Sequence, residues 1–391
     1  MYCSHVLEVL GGGFLFTQQA EDEKYMRRAL ELAKRGIGHT RPNPIVGAVL
    51  VKRGRIIGEG WHEQYGGPHA EVNAFASCRE DPDGATLYVT LEPCAHYGKT
   101  PPCADLVIRK KVGRVVTSMV DPNPLVAGKG IQKIRKAGIP VTVGVLADEC
   151  RLANEIFLKF VTQKKPFVLY KAAMSLDGKT ACASGESQWI SCEASREETH
   201  RLRGQYAGIL TGIGTILADD PRLTARTEGM SDPCRIICDS RLRIPLTSKV
   251  LHEAGKTVIL TTSAASEKKQ SELHAFGADI LICDGADGKV DLSLGMTGLA
   301  ALGIDSVLIE GGGTIADAAL RAGIVDKIIF YTAPMLIGGA KAPSPVSGVG
   351  VGSLKEAVRL KHMHAELSGT DLKITAYIDK EDPCSLASSK K

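Results

Sequence analysis

Four residues in the N-terminal part of the chain have the types and spacing of a catalytic metal site. His69 and Glu71 lie two positions apart in HAE, and Cys94 and Cys103 follow in EPCAHYGKTPPC. One imidazole and two thiolates suit Zn²⁺, and three protein ligands leave the fourth position that a catalytic zinc keeps for water. This combination is typical of hydrolytic deamination. There the activated water attacks an amidine carbon, and a glutamate that is not a ligand carries the proton to the leaving ammonia.

The segment between the two cysteines departs from the general deaminase pattern. That pattern is Pro-Cys-x-x-Cys, whereas AHYGKTPP separates Cys94 from Cys103 here. We interpret His96 in this segment as a substrate contact rather than a competing ligand. Lys99 is a candidate point charge for a substrate phosphate, and a solvated loop lysine is the alternative.

Two further residues of this half are candidates for contacting a substrate. Asn43 in RPNP could hydrogen-bond a pyrimidine edge, and a proline-flanked turn residue is the alternative. His62 in GWHEQYGGPHAE is the other candidate, against the alternative of a loop histidine bonded to the protein itself. His62 and His69 do not form an HExxH zinc motif, because GGP interrupts the string.

The surrounding elements predict an α/β domain. EDEKYMRRALELAKRG has the apolar spacing of an amphipathic helix. VGAVLV and RIIGEGW, joined by Arg53-Gly54, predict a β-hairpin, and HAEVNAFASC predicts a helix that begins near His69. Strands and helices then alternate as far as VTVGVL, which favours a mostly parallel sheet.

The motifs of this half resemble a known family. RPNPIVGAVLV, HAE, EPCAHYGKTPPC and DPNPLVAGKG are similar to the deaminase half of the bifunctional riboflavin-biosynthesis deaminase/reductases, in which the long cysteine spacing is itself typical. The resemblance implies a cytidine-deaminase-like three-layer α/β domain and one zinc per chain. It also implies hydrolytic deamination of 2,5-diamino-6-(5-phosphoribosylamino)pyrimidin-4(3H)-one to 5-amino-6-(5-phosphoribosylamino)uracil.

A second series of strands and helices follows, but its residues alone indicate little chemistry. It contains no GxGxxG that opens a first βα unit, so a plain Rossmann fingerprint is absent. SVLIEGGGTIADAALRAG predicts a buried strand, a glycine turn and a helix whose N–H groups could approach a phosphate. A tight turn is the alternative for such a glycine run.

The second half also resembles the same family. KAAMSLDGK, SGESQWI, TGIGTILADDPRLTAR and IEGGG are similar to its reductase half. The resemblance implies a C-terminal dihydrofolate-reductase-like α/β domain that reduces the ribosyl group to ribityl with NADPH. The positions that match cofactor contacts are Ala173, Trp189, Thr215, Asp219, Ser240 and the loop Gly312, Gly313, Thr314, Ile315, Ala316, Asp317 and Ala318. The positions that match substrate contacts are Ser187, Arg203, Leu223, Arg226 and Glu310.

Some of these positions have a chemical interpretation. Arg203 and Arg226 are expected to bind the substrate phosphate through bidentate, charge-assisted hydrogen bonds. Trp189 offers a flat face beside the cofactor, with a core tryptophan as the alternative. Lys171, at a strand end, is a hypothetical proton donor as the ribose opens. The basic residues in CDSRLR after Ser240 fit the 2′-phosphate of NADPH.

Composition excludes several classes of protein. The chain has 391 residues, a net charge of +4 and 5% aromatic residues. Its pI of about 8.4 lies below the value of about 9 that marks nucleic-acid-binding domains. Its 11 cysteines are an odd, scattered set that indicates reduced thiols. No apolar run reaches the roughly 18–20 residues of a membrane span, and the start does not resemble a secretory signal.

We therefore expect a cytoplasmic enzyme with a phosphorylated pyrimidine substrate and without nucleic-acid or membrane partners. The family resemblance implies a homo-oligomer. The expected organisation is an N-terminal extension (1–21), a deaminase domain (22–148), a linker with a helix (149–165), a reductase domain (166–380) and a polar tail (381–391).

Two alternatives to the bifunctional enzyme remain open from the sequence. The first is a tRNA or nucleotide deaminase with an accessory domain, which the charge and the cysteine spacing disfavour. In the second, the C-terminal half binds a nucleotide or a protein and only supports the deaminase. Lys171, Glu310 and the two arginines argue against that interpretation.

Overall fold

Two compact units divide the chain, Met1–Gln163 and Lys164–Lys391. The computed structural model describes residues 4–96, 101–123 and 127–380, with side chains from residue 17 onward. The segment expected to be a linker, 149–165, consists almost entirely of helix that belongs to the first unit.

A mixed five-stranded sheet forms the centre of the first unit. Its strands are β1 (Gly47–Lys52), β2 (Arg55–Trp61), β3 (Thr86–Val89), β4 (Arg114–Thr117) and β5 (Val141–Val143), in the spatial order β2-β1-β3-β4-β5. The predicted hairpin is β1–β2. The expectation of a mostly parallel sheet is wrong for this unit, because β1 runs antiparallel to both of its neighbours and only β3, β4 and β5 are parallel.

Helices cover both faces of this sheet. They are α1 (Ser4–Ala33), α2 (Ala70–Ala76), α3 (Cys103–Arg109), α4 (Lys129–Lys136), α5 (Ala147–Ala153) and α6 (Glu155–Gln163). Because side chains alternate along a strand, Leu50 packs with α2, α3 and α4 on one face. Val49 packs with α1 on the other. The three-layer fold is confirmed, but α1 begins inside the segment expected to be an extension, 1–21.

The second unit contains a nine-stranded sheet. Its strands are β6 (Phe167–Ser175), β7 (Gly208–Gly212), β8 (Cys234–Cys238), β9 (Thr257–Thr261), β10 (Ala278–Ile282), β11 (Ser306–Glu310), β12 (Lys327–Ala333), β13 (Leu360–Ser368) and β14 (Asp371–Ile378). The spatial order is β10-β9-β8-β7-β11-β6-β12-β14-β13. All neighbours are parallel except β12–β14 and β14–β13. The parallel strands are almost continuously apolar, as expected for strands buried on both faces.

In the described part of the second unit, five α-helices of 7 to 13 residues accompany the sheet. They are α7 (Glu193–Gln205), α8 (Ile213–Asp219), α9 (Glu267–Ala275), α10 (Leu292–Ala301) and α11 (Gly313–Arg321). Ile209 packs with α8 and α9 on one face, and Leu210 packs with α10 and α11 on the other. The strand β13 and the helices α8, α9 and α10 were not expected from the sequence. In the part of the chain that the structure covers, no helix has the length and apolarity to cross a bilayer.

Candidate active sites

The start of α2 positions two of the four residues that suggest a metal site. His69 is the N-cap of this helix in an extended conformation (φ −73°, ψ 162°), and Glu71 lies in its first turn. An N-cap residue has non-helical backbone dihedral angles and directly precedes the first turn of the helix. Glu71 is buried, with 3% of its surface exposed. The HAE sequence thus brings an imidazole and a buried carboxyl group to the same edge of the sheet.

The two cysteines reach this edge from β3 and α3. Cys94 follows β3, and Cys103 is the first residue of α3. His69 Nδ1 lies 3.6 Å from Cys94 Sγ and 3.3 Å from Cys103 Sγ, and the three donor atoms all lie within 4.8 Å of one another. The Cys103 backbone N–H donates a hydrogen bond of 3.3 Å to Cys94 Sγ. This donor set fits Zn²⁺.

Electrostatics at this site favour proton transfer. Burial, together with the negative charge of Cys94, raises the pKa of Glu71 to about 7. A carboxyl group with such a pKa can both accept and release a proton near neutral pH. A hydrogen bond from Cys103 lowers the pKa of Cys94, so this thiol ionises readily. The hydrogen bond with Cys94 raises the pKa of His69.

A cavity of about 310 Å³ opens beside the donor atoms. The predicted contacts Asn43, His62 and His96 all line it. His62 Nδ1 lies 3.0 Å from the Pro68 carbonyl oxygen and His62 Nε2 lies 3.3 Å from Asn43 Nδ2, so His62 is bonded to the protein and also faces the cavity. Lys99 lies outside the described residues. The lining residues that sequence reasoning missed include Tyr65, Glu92, Asp121, Asn123 and Phe157.

Glu92, two positions before Cys94, is the most fully bonded of the missed residues. Its buried carboxylate accepts four backbone hydrogen bonds, two from residues before α4 and two from the first turn of α4. The donors and distances are Asp121 N (3.1 Å), Gly128 N (2.8 Å), Gly130 N (2.8 Å) and Ile131 N (3.1 Å). At Gly130, an added Cβ would lie 1.8 Å from the Pro93 carbonyl oxygen, so only glycine permits this approach. The glutamate of EPC was the available signal.

Lys171, Glu310 and Arg203 form a polar cluster in the second unit. Glu310 ends β11 opposite Lys171 in the parallel register of β6, so both side chains lie on one face. Arg203 of α7 donates from Nε to Glu310 Oε1 (3.1 Å) and from Nη2 to Oε2 (2.7 Å). Arg203 Nη1 also donates to the Thr224 carbonyl oxygen (3.2 Å), so these contacts use three of the five guanidinium N–H groups, and the role of Arg203 at the substrate phosphate stays a prediction.

The three charged groups of this cluster shift one another's pKa values. Burial lowers the pKa of Lys171, and attraction to Glu310 opposes that shift. Burial alone would raise the pKa of Glu310, but Arg203 and Lys171 outweigh it and lower the pKa. Glu310 lies at the carboxyl end of β11, where open α/β sheets place their ligands, whereas Lys171 lies in the middle of β6 and not at a strand end as expected.

Beside this cluster, the turn between β11 and α11 lies close to the turn between β7 and α8. Gly311 has a φ of +111°, and an added Cβ would lie 2.6 Å from Thr211 Oγ1 and 2.8 Å from Thr215 Oγ1. Within the described residues, the buried Thr211 Oγ1 has no hydrogen-bond partner. The adjoining N-terminus of α11 presents backbone N–H groups, which suit a phosphate. An unpaired hydroxyl, a side-chain-free turn and a helix start fit a dinucleotide cofactor.

The segment expected to be a cofactor-binding loop, 312–318, is helical. Gly312 is the N-cap of α11, and the helix begins at Gly313. Ile315 and Ala316 are buried in the core, and Asp317 pairs with Arg321. A helix offers a ligand only its first N–H groups. The segment is therefore corrected from a loop to a helix start, and the cofactor contacts at these positions stay predictions.

The remaining candidates lie in diverse environments. Trp189 is 66% exposed, with the Arg196 guanidinium 4.8 Å from its ring centroid, so the alternative of a core tryptophan is wrong. The Leu223 side chain is buried in a core cluster, which leaves only its backbone for a substrate contact. The other positions are Ala173 on β6, half-buried Ser187, Thr215 and Asp219 on α8, Ala318 on α11, exposed Arg226, and Ser240 after β8.

The fold and these sites define a zinc-binding deaminase domain joined to a dihydrofolate-reductase-like reductase domain. Residues 19–119 match the family model for the cytidine and deoxycytidylate deaminase zinc-binding region. Residues 166–374 match the model for the RibD C-terminal domain. The chain belongs to the RibD family of bifunctional riboflavin-biosynthesis proteins, which have a deaminase and a reductase domain. This assignment favours the bifunctional interpretation over the two alternatives.

Individual relatives match nearly the whole chain. It is 46% identical to the riboflavin biosynthesis protein RibD of Actinobacillus pleuropneumoniae, over 90% of this chain and 94% of that protein. The RibD of Acinetobacter baumannii is similar in structure, with a TM-score of 0.83 and 38% identity over 93% of this chain and 100% of that one. A diaminohydroxyphosphoribosylaminopyrimidine deaminase/5-amino-6-(5-phosphoribosylamino)uracil reductase from Thermotoga maritima has a TM-score of 0.80 and 36% identity, over the same shares.

Proposed function

We propose that the first unit deaminates 2,5-diamino-6-(5-phosphoribosylamino)pyrimidin-4(3H)-one to 5-amino-6-(5-phosphoribosylamino)uracil. The second unit then reduces the ribosyl group of that product to ribityl with NADPH. The observation that carries the proposal is the grouping of the His69, Cys94 and Cys103 donor atoms beside a cavity that the buried Glu71 also lines. The name of the Thermotoga maritima relative supports the substrate class.

The deaminase step assigns distinct roles to these residues. His69, Cys94 and Cys103 would hold one Zn²⁺ per chain, which when bound acts as a Lewis acid that lowers the pKa of water. Glu71 takes a proton from the attacking water and delivers it to the 2-amino nitrogen, which leaves as ammonia while the ring carbon gains the oxygen. Asn43 and His96 face the same cavity and would bind the substrate. Lys99 stays a candidate for its phosphate.

The reductase step relies on the cluster in the second unit. The nicotinamide supplies the hydride. Lys171 donates a proton to the ribose ring oxygen as the sugar opens, and its lowered pKa makes it the stronger acid that this donation needs. Glu310 lies opposite Lys171 on the neighbouring strand, attracts its charge, and is itself bonded to Arg203. Ser187 and the exposed Arg226 remain candidates for binding the substrate, with Arg226 at its phosphate.

The cofactor site is proposed beside Gly311. Gly312, Gly313 and Thr314 would face the pyrophosphate, with Thr215 at the facing turn. The exposed Arg241 and Arg243 follow Ser240, and their charge supports NADPH over NADH, since a 2′-phosphate needs cationic partners. Ala173, Trp189 and Asp219 stay predicted cofactor contacts.

A homo-oligomer is also proposed. The end strand of the large sheet, β13, exposes Leu360, Met363 and Leu367. Exposed apolar side chains on an edge strand are typical of a surface that binds another chain. Light scattering of the purified protein would test this. A cytoplasmic location stays a prediction.

A sequential assay tests the two activities. The purified protein receives the diaminopyrimidinone phosphate with and without NADPH. We expect ammonia release in both reactions, and NADPH oxidation only after deamination. Ammonia release that depends on NADPH, or no ammonia release from zinc-loaded protein, would overturn the proposed order and the deaminase assignment respectively.

A further inference from the structure

The helical segment α5–α6, at the end of the first unit, makes a contact with the deaminase cavity that involves neither the metal ligands nor Glu71. Asn154 lies between the two helices and is buried, with 3% of its surface exposed. A buried amide must find hydrogen-bond partners within the protein. Its partners therefore show what this segment holds in place.

The Asn154 amide bonds the backbone of Ile45, in the segment before β1 that borders the cavity. Asn154 Oδ1 accepts from Ile45 N (2.9 Å), and Asn154 Nδ2 donates to the Ile45 carbonyl oxygen (3.0 Å). Nδ2 also lies 3.4 Å from the Cys150 carbonyl oxygen, which ties the amide to α5. Both backbone groups of Ile45 are thus bonded to one side chain, in the way that a neighbouring strand would bond them.

Ile45 lies in the middle of a segment that lines the cavity. Asn43, Pro44 and Val46 all border it. β1 begins only at Gly47, so Ile45 lies just outside the ladder of the sheet. The Asn154 amide therefore bonds the backbone two residues before β1 begins. It thereby fixes the path of the segment that carries Asn43.

The next turn of the same segment reaches the cavity directly. Phe157 follows Asn154 by three residues and lies in α6, which begins directly after Asn154. Phe157 lines this cavity, whose other lining residues are both polar, such as His62 and Asp121, and apolar, such as Leu91. A flat hydrocarbon wall in such a cavity suits the face of a planar heterocycle.

We propose that α5–α6 is part of the deaminase substrate site, with Asn154 as a positioning residue for the Asn43 segment and Phe157 as the wall against which the pyrimidine ring packs. The inference rests on the proposed deaminase function. It assigns a binding role to a segment that connects the two units in sequence. The residues that carry it all lie in the first unit.

The test uses four variants of the full-length, zinc-loaded enzyme. Phe157→Ala and Phe157→Leu change the cavity wall, and Phe160→Ala is the matched control, since Phe160 lies on α6 and outside the cavity lining. Asn154→Ala removes the clamp on Ile45. Deaminase kinetics are measured by ammonia release from the diaminopyrimidinone phosphate. Reductase kinetics of the same samples, measured with the deaminated intermediate, report whether the second unit is intact.

We expect Phe157→Ala to raise the deaminase KM about tenfold, the scale of a lost hydrophobic contact in a pocket, with a smaller change in kcat. Phe157→Leu should give an intermediate KM, and Phe160→Ala should match the wild type. Asn154→Ala should lower deaminase kcat/KM about tenfold, the scale of a buried backbone pair left unbonded. Zinc content and reductase kinetics should be unchanged in all four.

Two results would overturn the inference while the proposed function stands. One is a deaminase KM in Phe157→Ala equal to that of the wild type. The other is an equal change in Phe157→Ala and Phe160→Ala. If Asn154→Ala loses zinc, the Phe157 series decides alone. A wild-type enzyme that releases no ammonia from this substrate would instead contradict the proposed function.

Discussion

Arg203 binds Glu310 through two hydrogen bonds, of 3.1 and 2.7 Å, although the two residues are 107 positions apart. Both side chains are largely buried, with 16% and 11% of their surfaces exposed. A buried carboxylate needs such a partner, because otherwise its charge would be uncompensated in a medium of low polarity. The pair links α7 to the centre of the large sheet.

Breaking this pair should destabilise the second unit. Arg203→Met leaves the Glu310 carboxylate without its partner, and removal of one member of a buried pair costs about 3 kcal/mol or more. The midpoint of reductase inactivation in urea should move to lower concentration. Arg201→Met, an exposed residue on the same helix, is the matched control. Coinciding midpoints for the two variants would contradict a stabilising role for the pair.

The pH dependence of the reductase should reveal Lys171. A proton donor loses its proton as pH rises through its pKa, and burial lowers the pKa of Lys171 below the ordinary 10.5. Reductase kcat/KM should therefore decline on the alkaline side, with its midpoint below that value. Lys171→Met should reduce the rate by roughly 100-fold or more, the range of acid–base catalysis, and abolish the alkaline decline. An unchanged decline in the variant would assign the titration to another group.

Glu71 should be needed for deamination and dispensable for metal binding. Glu71→Gln keeps the shape of the side chain but cannot carry a proton, so deamination should fall about 100-fold or more. Zinc content, measured by atomic emission, should match the wild type, and reductase kinetics with the deaminated intermediate should be unaffected. Loss of the metal together with the activity would show that Glu71 supports the ligands instead.

Glu92 should stabilise the deaminase unit without taking part in proton transfer. Glu92→Gln replaces one of the acceptor oxygens by an NH₂ group that faces backbone N–H donors. The cost of such unmatched groups is about 1–3 kcal/mol. Urea inactivation of the deaminase should occur at lower concentration. Glu80→Gln, which affects only a surface pair with Arg55, should behave as the wild type, and equal midpoints for both variants would refute the role.

The local parts of both sites were predictable from the sequence. HAE at a helix start and Pro-Cys after a strand need only short-range rules, and the structure brings His69, Cys94 and Cys103 together. The glycine turn before α11 is also predictable. The helix, however, begins at Gly313, inside the segment 312–318 that was expected to be a loop. Propensity cannot locate such a boundary, because the first turn of α11 is stabilised by core contacts of Ile315 and Ala316.

The long-range partners were not predictable. Arg203 has the chemistry of a phosphate ligand, and only the structure shows that two of its N–H groups bind Glu310. Likewise, nothing local connects Asn154 with Ile45, which lie 109 positions apart. Register and packing between distant segments decide these contacts, and a single sequence read on its own contains no direct record of them.

The approach of Gly130 to the Pro93 carbonyl has a consequence for genetic variation in this chain. Every amino-acid substitution of a glycine adds at least a Cβ, which here would lie 1.8 Å from that oxygen. All missense changes at this codon should therefore be depleted in a variant library selected for riboflavin prototrophy, including the mild change to alanine. Gly130 would then be as intolerant of substitution as a catalytic residue, although the cause is the close approach of two backbone segments.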